Sequence, residues 1–343
     1  MCSRALGEVT GGACVMTAVE AGRPGGRSCI LIVCNQAYLS RAACVAWQAQ
    51  RHSGPDCDIV LASADPLDPP APLRCSTMQI DPHAFTRGLP IDPRLDVFTY
   101  WKLPAIAKLA EDYDRILYFD TDLYIRRGAL GDLLRLDMQG ATLAAVRDIC
   151  LRRNPRRIPH EFRALNCRDS PYFNAGVLLI DAQKWRRTIS LDHVAQIARD
   201  HHALLYLHDQ TVLNILFRND WLELSPVWNW QYRPSRARLV PVADPCILHF
   251  SGAQKLWGPR LPLAAAFQAN YQSARKELLG ASPEIGPSPR ALMVRGWLPA
   301  LWHLPAIHHD KRRFPRDFST HRHHPRHHKG PAAPPESAPA TLT

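Results

Sequence analysis

Short apolar runs alternate with stretches whose apolar residues recur every three or four positions, and the alternation predicts strands punctuated by helices. Cys29 to Cys34 is a β-rich run, followed by a helical pattern from Tyr38 to Gln50 and a second strand over 58–62. The proline-rich stretch Pro66 to Pro72 predicts a loop, and residues 98–112 a helix feeding a strand over 115–119. Further strands are predicted at 143–147, 175–180 and 246–250, with helices at 129–135, 183–201 and 209–218. This order argues for an α/β fold: a Rossmann-like, mostly parallel open sheet with helices on both faces, whose ligands lie beyond the carboxyl ends of the strands.

Length and charge sharpen the boundaries. The chain of 343 residues has ample length for one large core. Residues 1–27 are glycine-rich with little periodicity and are expected to be a disordered leader without the apolar segment of a secretory signal. Residues 28–280 then form the folded domain. The net charge is +11, and the stretch from Arg290 to Lys329 supplies +7 of it, nine Lys and Arg against Asp310 and Asp317. Residues 281–330 are therefore a basic tail that also carries Trp297, Trp302 and Phe314, and 331–343 a Pro/Ala-rich disordered end. Basic residues interleaved with aromatics suit an anionic membrane surface. No motif that reads nucleic acid accompanies them, so no nucleic-acid partner is expected. The ten cysteines contain no Cys-x-x-Cys pair and read as reduced thiols of a cytoplasmic protein. No apolar run approaches the roughly 18 to 20 residues that span a bilayer.

The segment Arg115 to Ile125 carries the strongest chemical signal. Its apolar run leads into Asp120 and Asp122, one residue apart. In an extended segment, side chains at i and i+2 share a face, so the two carboxylates can converge on one hard cation. Without a cation, two like charges at a buried strand end repel each other and lose hydration. A solvated turn after a strand has the same three-letter pattern, so the other segments must decide.

Four of them do: Tyr172-Phe173-Asn174-Ala175-Gly176, His208-Asp209-Gln210, Trp228-Asn229-Trp230-Gln231-Tyr232, and His249-Phe250-Ser251-Gly252 followed by Lys255 and Trp257. With the Asp120-Thr121-Asp122 element, in this order, they resemble family 8 of the retaining glycosyltransferases over about residues 29–260. The likeness is to bacterial lipopolysaccharide galactosyl- and glucosyltransferases and extends to the glycogenins.

The resemblance implies a GT-A fold, a UDP-hexose donor, Mn2+ (or Mg2+) and transfer to a glycan or glycolipid acceptor with retention of configuration. It implies Asp120, Asp122 and His249 as metal ligands; a carboxylate and imidazole set suits Mn2+ better than the all-oxygen shell Mg2+ prefers. Lys255 would stabilise charge on the departing diphosphate, and Gly252 would let backbone approach the phosphates. Val33, Asn35 and Tyr38 match positions that hold the nucleotide, with Tyr38 available to stack on the base. Asn35 departs from the acidic residues common there. Lys102 stands where the family has an arginine, keeping the charge without the planar fork. Asn174, Ala175 and Gly176 would line the hexose site, and Asp148 would face sugar hydroxyls or acceptor.

Asp209 and Gln210 fall where the family has sugar-contacting and candidate nucleophilic groups. An amide is a poor nucleophile for double displacement, and same-face substitution stands beside it as the alternative. The expected activity is hexosyl transfer, galactose or glucose, on a cytoplasmic protein peripheral to the inner face of a membrane. Its rivals are a glycogenin-like self-glycosylating protein and a catalytically silent carbohydrate-binding scaffold. A sugar nucleotidyltransferase would need a Gly-rich phosphate loop, and none follows the first strand.

Overall fold

A computed structural model describes residues 26–86, 97–128, 130–149, 159–166, 170–218, 220–233, 237, 240–252, 255–258 and 265–280. The expected leader (apart from its last two residues), the basic tail and the Pro/Ala-rich end lie outside the described residues.

The strands are β1 Ser28–Val33, β2 Cys57–Ser63, β3 Ser76–Gln79, β4 Arg115–Phe119, β5 Leu123–Ile125, β6 Leu143–Arg147, β7 Phe173–Asp181, β8 Trp221–Glu223, β9 Trp230–Gln231 and β10 Ile247–His249. The helices are α1 Leu39–Ser53, α2 Pro82–Thr86, α3 Lys102–Leu109, α4 Leu130–Leu134, α5 His160–Ala164, α6 Ala182–Thr188, α7 Leu191–Asp200, α8 Asp209–Leu216, α9 Val240–Ala243 and α10 Ala265–Leu279. Seven strands form one sheet in the order β3-β2-β1-β4-β7-β6-β8. β7 runs antiparallel to both its neighbours, and the other pairings are parallel. A second sheet, β5-β10-β9, stands beside it.

Why β1, β4 and β7 read as continuous apolar runs follows from their central position: helices cover the sheet on both faces, so neither side of the pleat meets water. Ile30, Ile32, Leu117, Phe119, Val177 and Leu179 pack toward α1 and α4. The alternate residues Leu31, Ile116, Tyr118, Leu178 and Ile180 pack toward α3, α6, α7 and α8. A third cluster, with Leu248, Phe250 and Tyr271, joins the small sheet to α10.

The predicted helix over 98–112 is a 3-10 turn, Val97–Trp101, followed by α3. Pro104 has no N–H, so it is tolerated in the first turn of α3 but could not donate back to Tyr100 in a longer helix. The single helix predicted over 183–201 is instead α6 and α7, broken at Ile189 and Ser190, both extended. The β-branched pair Thr188-Ile189 ends one helix, and Ser190 occupies the cap position of the next.

The topology directs the chemistry to one end. β1 and β4 are adjacent and parallel, and the next strand of the sheet lies on one flank after β1 (β2) and on the other after β4 (β6), which opens a crevice at their carboxyl ends. Because β7 is antiparallel, its first residues lie at this same end. The register of β7 against β6 shifts between Ala145 and Val146, so Ala175, Gly176 and Val177 form a bulge beside the end of β4. Among the described residues, no helix is long and apolar enough to cross a membrane.

Candidate active site

β4 ends at Phe119, so Asp120 and Asp122 do not converge through an extended i, i+2 relationship as the sequence pattern suggests. Thr121 and Asp122 form a turn between β4 and β5. Backbone bonds fix this turn on both sides: Asp120 N donates to Gly176 O at 2.9 Å, and Phe250 N donates to Asp122 O at 3.0 Å. Antiparallel pairing of β5 with β10 sets His249 opposite Leu123. His249 Nε2 consequently lies 3.1 Å from Asp122 Oδ1 and 3.8 Å from Asp120 Oδ2. One ligand atom from each of the three residues lies within 4.8 Å of the others.

The tautomer of His249 is set by a chain of amides. Asn229 Nδ2 donates to Asn174 Oδ1 at 2.8 Å, which turns Asn229 Oδ1 toward His249 Nδ1 at 3.0 Å. Nδ1 therefore carries the hydrogen, and Nε2 points its lone pair at the carboxylates. Asp122 Oδ1 is buried without a hydrogen-bond partner. Two carboxylate oxygens and an imidazole lone pair facing one small space form a donor set that fits a divalent cation and is costly without one. Burial alone would raise the Asp122 carboxyl; with no cation in the site, the positive charge and hydrogen bond of a protonated His249, and then Lys255, outweigh it and hold the group below the usual carboxylate range, whereas the neutral ring turns its Nε2 lone pair to a cation instead. Lys255 Nζ lies 2.5 Å from Asp122 Oδ2.

Gly176 lies under this cluster rather than in the cavity wall. A Cβ there would fall 2.2 Å from His249 Cε1 and 2.9 Å from Asp120 Oδ2. Lys102, almost fully buried, places Nζ 2.8 Å from Asp209 Oδ2, 3.4 Å from Asp120 Oδ1 and 3.3 Å from Ala175 O. Burial disfavours its charge, but Asp120 and Asp209 more than compensate and raise its pKa. Burial also pushes the Asp209 carboxyl up, although Lys102 opposes the shift. Gln210 Oε1 accepts from Asn174 Nδ2 and from Ala175 N, each at 3.0 Å, while its Nε2 donates to Asp148 Oδ2 at 3.4 Å. His208, just before this pair, holds a left-handed φ of 52°, which strains a residue with a Cβ.

A cavity of about 960 Å3 opens over these groups. Val33, Tyr38, Lys102, Asp120, Asp122, Asp148, Asn174, Ala175, Asp209, Gln210, His249, Gly252 and Lys255 all line it. Asn35 does not; its Oδ1 accepts from Tyr38 N at 3.1 Å and caps the turn after β1. Tyr38 already stacks on Phe98, with centroids 5.8 Å apart, and carries the Arg41 guanidinium 4.6 Å from its ring centre. Gly252 has a φ of 82°, a conformation that favours glycine.

Sequence reasoning passed over several residues of this site. Tyr118 Oη donates to Asp120 Oδ1 at 2.6 Å, and Asn229 orients His249. Glu161, His160 and Arg163 line the cavity from α5. At its rim Tyr206 and Leu207 are 59% and 49% exposed, unusual for large apolar side chains here, with His160 edge-on to Tyr206 at 5.2 Å. Two of these residues lie in segments the sequence singles out, Tyr118 in Arg115 to Ile125 and Asn229 in Trp228 to Tyr232, but neither residue type suggests a role.

The architecture is that of a solved galactosyltransferase, LgtC, in complex with donor and acceptor sugar analogs: TM-score 0.59 and 21% identity, covering 78% of this chain and 99% of that one. The mostly parallel mixed sheet flanked by helices is thus the GT-A arrangement. The profile of Glycosyl transferase family 8 matches residues 29–259, and the chain belongs to this family. Curated relatives include the glycosyltransferase GlyF of Streptococcus pneumoniae, 27% identical over 171 residues, 48% of this chain and 39% of that protein. General stress protein A of Bacillus subtilis is 30% identical over 163 residues, 43% and 54% of the two chains. The lipopolysaccharide 1,2-glucosyltransferase of Escherichia coli is 27% identical over 173 residues, 46% and 48%. The chain spans about half the length of the curated relatives it matches.

Proposed function

We propose that this protein transfers a hexose, galactose or glucose, from a UDP-sugar to a glycan acceptor such as a lipopolysaccharide core, with retention and with Mn2+ as the metal. One observation carries the reading: at the floor of a cavity sized for a nucleotide sugar, the unpartnered Asp122 Oδ1, Asp120 Oδ2 and the lone pair of His249 Nε2 face one another. Family membership and the LgtC architecture support it.

When bound, Mn2+ supplies electrophilic stabilisation of the departing UDP. Asp120, Asp122 and His249 would hold it, with Mg2+ as a substitute. Lys255, on the same wall, offers a movable ammonium to the leaving diphosphate. Val33 and Tyr38 flank the nucleotide end; Asn174, Ala175, Asp148 and Gly252 lie along the sugar and phosphate path. Gln210 and Asp209 favour same-face substitution, because Oε1 of the first is engaged by two donors and the carboxylate of the second by Lys102. The single side-chain oxygen of Gln210 is therefore not free for attack. Both residues position the sugar, and the acceptor hydroxyl loses its proton to the leaving phosphate.

The basic tail, residues 281–330, would hold the protein against the anionic inner face of a membrane, supported by its excess of +7 over 290–329. The test is a panel of sugar nucleotides with and without Mn2+, reading UDP release and transfer to acceptor. Binding without turnover under any condition would leave a silent scaffold, and mass gain without acceptor a self-glycosylating protein.

A further inference from the structure

The two oxygens of Asp120 have different surroundings. Oδ1 accepts the Tyr118 hydroxyl at 2.6 Å and lies 3.4 Å from Lys102 Nζ. Oδ2 lies on the other side, 3.8 Å from His249 Nε2. Tyr118 sits two residues upstream on β4, on the same side of the extended chain. Its ring belongs to the apolar layer beneath α3, with the Lys102 ammonium 4.4 Å from the ring centre.

Packing alone does not account for a tyrosine here. Phenylalanine would fill the same space, and a buried hydroxyl is costly unless it is hydrogen-bonded. Its partner is one chosen oxygen of an acid whose other oxygen faces the cation site. Without this short bond Oδ1 keeps only the longer 3.4 Å contact with Lys102 Nζ, and the carboxylate could turn about χ1 and χ2 to present either or both oxygens.

We propose that Tyr118 is a positioning residue for the metal: its hydroxyl ties down Asp120 Oδ1 and presents Oδ2 alone, making Asp120 a one-oxygen ligand. Tyr118 is not itself one of the three candidate ligands of the cation. The proposal rests on the metal-site reading above.

Tyr118→Phe keeps ring and volume and deletes only the oxygen, so the variant should fold. The measurement is Mn2+ binding to the full chain without nucleotide, by electron paramagnetic resonance, alongside thermal melts of the metal-free protein. Outer-shell hydrogen bonds typically contribute about 10- to 100-fold to metal affinity. The expected result is a Kd raised about tenfold, a changed bound-Mn2+ spectrum, and a metal-free Tm close to that of the parent. 3-Fluorotyrosine at position 118, which keeps the hydroxyl, should restore both affinity and spectrum. Unchanged affinity and spectrum in Tyr118→Phe would overturn the proposal and leave the metal site standing, as would failure of 3-fluorotyrosine to rescue. No Mn2+ binding by the parent protein would overturn the metal site and this proposal together.

Discussion

Gly176→Ala tests the site with one methyl group. The added Cβ would fall 2.2 Å from His249 Cε1, 2.8 Å from His249 Nδ1 and 2.9 Å from Asp120 Oδ2. Carbon atoms rest at about 3.5 to 4.0 Å, so something must move by more than about 1 Å. The imidazole has little freedom: β10 holds its backbone between β5 and β9, and Asn229 holds its ring. Asp120 is held by Tyr118 and by its own N–H on Gly176 O. Overpacking of this kind costs about 1–3 kcal/mol of stability, which lowers Tm by about 2 to 12 °C in a domain of this size. Catalysis should suffer far more, since a misplacement of about 1 Å costs roughly a hundredfold. The assay is coupled UDP release at saturating donor and Mn2+, with Mn2+ affinity from calorimetry and melts in parallel. Turnover within about threefold of the parent, with Mn2+ affinity intact, would refute the placement of His249 and Asp120 around one ion.

Three further outcomes follow from the same geometry. Asp122→Asn should reduce turnover by at least about a hundredfold, read by the same UDP assay. Its acid behaviour has a definite sign: the folded Asp122 pKa is lowered from 3.8, so the stability linked to its ionised form is present above that value and lost as pH falls below it. Melts of the metal-free proteins on acidification should therefore show a shallower decline in the asparagine variant. Lys255→Ala removes the ammonium that pairs with Asp122 and would compete with a cation for its charge, so Mn2+ affinity measured without nucleotide should rise even as turnover falls; weaker Mn2+ binding would refute that competition. Deleting 290–343 removes +7 of charge with Trp297 and Trp302, and co-sedimentation with anionic vesicles should drop sharply while transfer to a soluble acceptor survives.

The sequence made the central strands legible because β1, β4 and β7 are covered on both faces and read as unbroken apolar runs. β3, β5, β8 and β9 are two to four residues long, too short for a period to emerge, and they depend on partners far away in the chain. The break between α6 and α7 was hidden because Ile189 continues the apolar spacing while its backbone turns extended. The acids and His249 stood out by type and order. Their convergence did not, because it comes from a turn at 121–122 and an antiparallel partner strand rather than from the pleat of one strand.

Asn229 and Asn174 explain more than the tautomer of one histidine. Asn174 Oδ1 accepts from Asn229 Nδ2 and from Gly176 N, while its Nδ2 donates to Gln210 Oε1. A continuous hydrogen-bonded path thus runs from His249 through two amides to Gln210 and on to Asp148. Asn174 can occupy the middle of this path because β7 is antiparallel, which brings its first residues to the carboxyl ends of β4 and β6. A parallel strand in that place would present its last residues instead, Val177 to Asp181, none of which carries an amide side chain. The reversed strand is therefore what fixes the proposed cation end and the proposed sugar end of the cavity relative to each other, and the bulge at 175–177 gives Gly176 the close approach to His249.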